Sequence, residues 1–186
     1  MDINHCADAF PFPPSGVSSR TVQSMIEKFL PSIHRAISLC DTFLEHLSWM
    51  FHIVSRQQLV HELIPTVYKQ TRVSYGPHEL ALMLIVLGIG ALVDLELDPY
   101  NLEAQHYYRL ARAAVSLQPV LGQQSIVTVK VRRACCNHPF PNVFLLKVIH
   151  LMSIYNGMSG KESNLEQSYI LLDLACQVAL RVPLSM

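Results

Sequence analysis

From Leu80 to Val93 the chain runs fourteen residues without a charged or hydrogen-bonding side chain, and no other feature so narrows what it can fold into. Such a stretch must be hidden on every side. A membrane span needs about 20 consecutive apolar residues, so the run is read as a buried helix opened by Pro77, whose missing N–H is harmless in a first turn. Gly88 and Gly90 interrupt it, and without a Cβ they let neighbouring backbone approach closely. Enclosing one helix requires other helices around it. The chain has the material, since 51% of its 186 residues are hydrophobic and only 15% are charged.

The enclosing helices are read from three-to-four spacing. Ile33, Ile37, Cys40, Phe43/Leu44, Leu47 and Met50/Phe51 mark a first helix, with Pro31 in its opening turn and its end near Met50. Ser55 caps a second, striped by Leu59, Leu63, Ile64 and Val67 and kinked or shortened by Pro65. After the apolar helix, Asn101 caps a fourth that uses Tyr107, Leu110, Ala111, Ala114 and Leu117. Ser163 or Asn164 caps the last. That helix has one stripe of Leu165, Tyr169, Leu172, Cys176 and Ala179 and a second of Leu171, Leu174, Ala175 and Val178, which predicts a place at the centre of the core. No segment alternates as a strand does. The expected fold is all-α, a packed array of about six helices in antiparallel helical hairpins. Residues 1–28, with Phe10-Pro-Phe-Pro-Pro-Ser-Gly, are expected to form a disordered N-terminal arm or linker, and 29–186 the domain.

Residues 131–147 break the pattern with two arginines, two cysteines and two prolines. With them removed, Val127, Val148, Leu151 and Tyr155 fall on one face of a continuous helix. Two readings stand: an irregular surface loop, or a retained intron in the gene sequence.

Charge and site chemistry exclude several functions. Fourteen basic and fourteen acidic residues cancel, leaving no net field to draw in nucleic acid. The five cysteines are scattered, without Cys-x-x-Cys spacing, in a chain with no recognisable leader, which predicts reducing surroundings. Cys135, Cys136 and His138 suit zinc chemically but lack a fourth ligand, so no metal site is expected. His46 beside Glu45 and His61 beside Glu62 have no nucleophile motif near them and are read as surface residues. Gly88-Ile-Gly90 lacks the Lys-Ser and strand context of a phosphate loop, and Gly157 to Gly160 is an inter-helix turn. Arg132 and Arg133 are too few for a nucleic-acid patch. Trp49, Met50 and Phe51 form the densest cluster of large apolar residues; they either anchor the first helix in the core or offer a partner surface.

From about Phe29 to Val182, apart from 131–147, the chain resembles the fungal-specific transcription factor domain, the middle homology region of fungal zinc-cluster transcription factors. The resemblance lies in Phe43-Leu-Glu-His-Leu-Ser-Trp-Met-Phe-His-Ile-Val54, where His52 takes the usual proline place, and in the small-residue-rich helix Leu80 to Leu92. It continues in His106-Tyr-Tyr-Arg-Leu-Ala-Arg-Ala-Ala114 and in Tyr169-Ile-Leu-Leu-Asp-Leu-Ala-Cys-Gln-Val-Ala-Leu-Arg181. It implies a regulatory, non-enzymatic domain of a nuclear protein, with transcription-regulatory proteins or another part of the same protein as partners. It also implies no membrane contact, and zinc and DNA binding only through a cluster missing from this chain. The family domain continues through further helices, so a fragment is expected, with Leu171, Leu174 and Val178 left without a partner. The competing reading is a free-standing α-helical interaction scaffold unrelated to transcription.

Overall fold

A computed structural model describes residues 3–13, 16, 18–47, 49–68, 75–98, 101–118, 141–160 and 162–180. Among these residues there are eight α-helices and no strand: α1 (Ile3–Asp8), α2 (Ser19–Glu27), α3 (Ile33–His46), α4 (Ile64–Val67), α5 (Pro77–Leu92), α6 (Leu102–Ser116), α7 (Pro141–Met158) and α8 (Glu162–Ala179). A π-helical segment, Gln57–Leu63, runs directly into α4. The fold is all-α, as the sequence predicts, with more helices than expected. None of the described helices is long and apolar enough to cross a membrane.

The apolar run is the centre. From Pro77 to Ala91 every residue of α5 except Glu79 is buried, and α3, α6 and α7 pack around it. The two glycines serve different neighbours. Gly90 lies against the Leu39 carbonyl of α3, where a Cβ would collide, whereas a Cβ on Gly88 would stand 3.4 Å from the Ala104 carbonyl oxygen and the Tyr108 nitrogen of α6. Asn101 fastens α5 to α6: its Oδ1 accepts from the Ala104 N–H at 2.7 Å while its Nδ2 donates to the Ala91 carbonyl at 2.7 Å. One residue thereby satisfies an orphan donor of the helix that begins and an orphan acceptor of the helix that ends. Arg35 adds a clamp between α3 and α6, with two bonds to the Glu103 carboxylate at 2.8 and 3.3 Å and Asp94 at 3.7 Å.

Several expectations are corrected. The stretch read as a disordered arm carries α1 and α2, whose Cys6, Ala7, Val22 and Ile26 are buried. A six-residue helix cannot persist on its own. These are held by the end of α6, where the Ser116 hydroxyl donates to the Cys6 carbonyl and the Ser19 hydroxyl to the Leu117 carbonyl, both at 2.8 Å. The first long helix stops at His46 rather than Met50, and Ser32, not a proline turn, caps its start by accepting from the Arg35 N–H. Pro65 follows the π segment. Its ring would clash with the carbonyl four residues back, and the wider turn relieves that while shortening α4 to four residues.

Helix α7 begins at Pro141, within the segment set apart as an insertion, because a proline that would break a helix interior suits its first position. Phe144 and Leu145 are buried, and Lys147 Nζ donates to Gln58 Oε1 at 2.6 Å, so Lys147 marks no structural boundary. Residues 131–140 and Val127 lie outside the described residues; Val148, Leu151 and Tyr155 are buried as their spacing predicts. The last helix starts at Glu162, placing Ser163 and Asn164 inside its first turn instead of at its cap.

Candidate functional site

Helix α8 is peripheral, contrary to its predicted central position. It rests on α7 through Leu171, Ala175 and Val178, with Leu174 half-buried: the stripe expected to lack a partner is the one that has it. The contact is fixed by a reciprocal serine pair, in which Ser153 Oγ donates to the Ser168 carbonyl at 3.0 Å and Ser168 Oγ to the Ser153 carbonyl at 2.8 Å. Small side chains bonded in this way let the two helices approach closely.

The other stripe faces outward. Leu165 is 50% exposed, Tyr169 73% and Leu172 39%, and Cys176 and Ala179 continue the row; Ile170, 61% exposed, lies farther round the helix, beyond Glu166 and Asp173. Recurring at i, i+4, i+7, i+11 and i+14, these side chains form a straight apolar ridge about 21 Å long at 1.5 Å per residue. Glu166 and Asp173 project next to it along one edge, and the described part of α8 contains no lysine or arginine. A continuous apolar ridge with an acidic rim is the surface an amphipathic helix covers.

A second, smaller surface comes from the cluster singled out in the sequence. Trp49 is 67% exposed and Met50 54%, whereas Phe51 is half-buried against the core. The Trp49 indole N–H donates to the His46 carbonyl at 2.9 Å, so the ring closes the end of α3 and still faces solvent. Core anchoring thus describes Phe51 and not its two neighbours.

The candidate catalytic residues are not gathered into a site. Glu45, His46, His61 and Glu62 are all exposed. No group of three or more His, Cys, Asp or Glu among the described residues is placed to hold a metal, and Cys135, Cys136 and His138, like Arg132 and Arg133, lie outside them. Burial pushes the Cys40 thiol up to about 12, which keeps it protonated and unreactive near neutral pH. Sequence spacing revealed both stripes of α8 but not which of them faces in; the interspersed Glu166 and Asp173 were the available signal. No protein-family model, curated protein or solved structure matches the chain.

Proposed function

We propose that this chain is a non-catalytic helical interaction module, part of the regulatory middle region of a fungal zinc-cluster transcription factor acting in the nucleus. On this reading, zinc and DNA contacts belong to a cysteine-rich cluster outside the chain. The transcriptional part rests on the motif resemblance. The interaction part rests on one observation: α8 exposes Leu165, Tyr169, Leu172 and Ile170 on a fold that otherwise encloses its long apolar helix completely. Its occupant is an amphipathic helix from a regulatory partner or from another part of the same protein, with basic side chains opposite Glu166 and Asp173. Trp49 and Met50 form an accessory surface.

The test is to fuse the chain to an unrelated DNA-binding domain and measure a reporter beside that domain's site, comparing wild type with a Tyr169→Glu, Leu172→Asp variant. The wild-type fusion is expected to change reporter output and the variant to return it to the level of the DNA-binding domain alone, at equal protein abundance and equal helicity. Output that the wild-type fusion leaves untouched would argue against a transcriptional role.

A further inference from the structure

One face of α6 carries Tyr108, Arg109 and Arg112, and with Tyr155 and Asn156 of α7 and Asn164 of α8 it lines a cleft of about 190 Å3. Pockets for drug-sized ligands run from about 300 to 1,000 Å3, so this cleft is of metabolite size. Its lining includes no carboxylate. That absence matters because the chain pairs other arginines with acids, Arg35 with Glu103 and Asp94, and Arg56 with Asp41. Neither Arg109 nor Arg112 has an ion pair among the described residues.

Arg112 is prepared for a partner. Its guanidinium carbon sits 5.6 Å from the centre of the Phe10 ring, close enough for the ring face to support the cation, and its buried Nε has no hydrogen-bond acceptor among the described residues. Arg109 follows three residues earlier on the same helix, so both forks reach the same space. The remaining wall is rigid. Tyr108 and Tyr155 stack with ring centres 4.3 Å apart and planes 9° from parallel. Asn156 Nδ2 donates to the Tyr108 hydroxyl at 2.9 Å, which leaves that hydroxyl its own proton to give. Asn164 Nδ2 donates to Ser159 Oγ at 2.6 Å, and that hydroxyl donates to the Asn156 carbonyl at 2.8 Å, tying the first turn of α8 to the end of α7.

Two guanidinium groups without an ion pair among the described residues, a phenol with a proton to give and a fixed polar wall form a receptor for an oxyanion. We propose that the cleft between α6, α7 and α8 binds a metabolite-sized organic anion, its carboxylate or phosphate group held by Arg109 and Arg112 with the Tyr108 hydroxyl as a third donor. The site is independent of whatever docks on α8, because Leu165, Tyr169 and Leu172 lie on another face of that helix.

The experiment is thermal unfolding and calorimetric titration of the full chain with succinate and with inorganic phosphate, against sodium chloride at matched ionic strength. At least one of the two anions is expected to raise Tm saturably beyond chloride, and the tighter of them identifies the headgroup. Arg112→Gln and Arg109→Gln should each weaken its Kd roughly tenfold or more, the loss expected for a hydrogen bond to a charged group, while Leu172→Asp leaves it unchanged. Because Arg109 is exposed, its variant should fold even if Arg112→Gln does not. Equal responses to both anions and to chloride, or unaltered binding by Arg109→Gln, would overturn the proposal.

Discussion

Helices α5 and α8 are both rich in apolar side chains and similar in length, 16 and 18 residues, yet one is enclosed and the other lies at the edge. In α5 the only charged side chain is Glu79, in its first turn, where its carboxylate accepts from the Gly76 N–H at 3.1 Å. The two glycines then bring α3 and α6 close on separate sides. In α8, Glu166 and Asp173 recur two turns apart and must stay in water, which leaves only part of the circumference free to be covered. Apolar content therefore sets how much a helix could bury. The placement of its few charges, and of residues small enough to admit a neighbour, sets how much it does.

The comparison is broken or upheld most strongly by paired truncations. Leu84→Ala, at a fully buried position of α5, should cost about 3 kcal/mol through lost burial and the cavity left behind. Leu172→Ala on the outer stripe of α8 should cost no more than about 0.5 kcal/mol. Urea unfolding curves with a common slope measure both, and equal losses would mean that α8 is covered in solution. A smaller effect separates the two glycines. Gly90→Ala forces its Cβ into the Leu39 carbonyl and should destabilise by about 2 kcal/mol, from overpacking against backbone that cannot move aside. Gly88→Ala meets its neighbours at ordinary contact distance and gains helix propensity, so it should stay within about 0.5 kcal/mol of wild type. A reversal of that order would relocate the close approach from α3 to α6.

What was legible in the sequence is what local chemistry decides. The Asn101 cap, the Ser55 cap that accepts from the Gln58 N–H at 3.2 Å, the opening of α5 at Pro77 and the buried rows on α4 and α6 all follow from spacing and side-chain type. What was not legible depends on partners distant in sequence. Helices α1 and α2 are too short to be signalled by periodicity and exist because Ser116 and Leu117 receive them, 110 and 98 residues away. In α8 the placement of Glu166 and Asp173 hints at the outward side, but the Ser153 and Ser168 contact that seats the helix on α7 joins two elements and is not visible from either alone. The cleft was missed for the same reason. Arg109 and Arg112 read as ordinary polar positions of an amphipathic helix until Asn156 and Asn164 arrive from two other elements.

Cysteine reactivity sharpens the contrast without touching neutral-pH stability. Cys40 on α3 is fully buried and its thiol is pushed up to about 12 by loss of solvent, with the Asp41 charge adding to it. Cys176 on the α8 stripe is exposed. Iodoacetamide at mild pH, followed by peptide mapping to resolve each site, should modify Cys176 at once and Cys6 and Cys40 only at the rate of unfolding. The same burial gives alkaline stability a definite sign. Above its ordinary value of 9.0 the unfolded Cys40 thiol loses its proton while the folded one retains it. Tyr68 and Tyr155, both raised from 10.0 to about 12 by burial, behave alike. The folded state then binds more protons than the unfolded, so stability is complete below pH 9 and declines as pH rises toward 12. Rapid labelling of Cys40 would mean that α3 does not seal against α5. Protection of Cys176 in the native chain would mean that something, a second copy included, already occupies the ridge on α8.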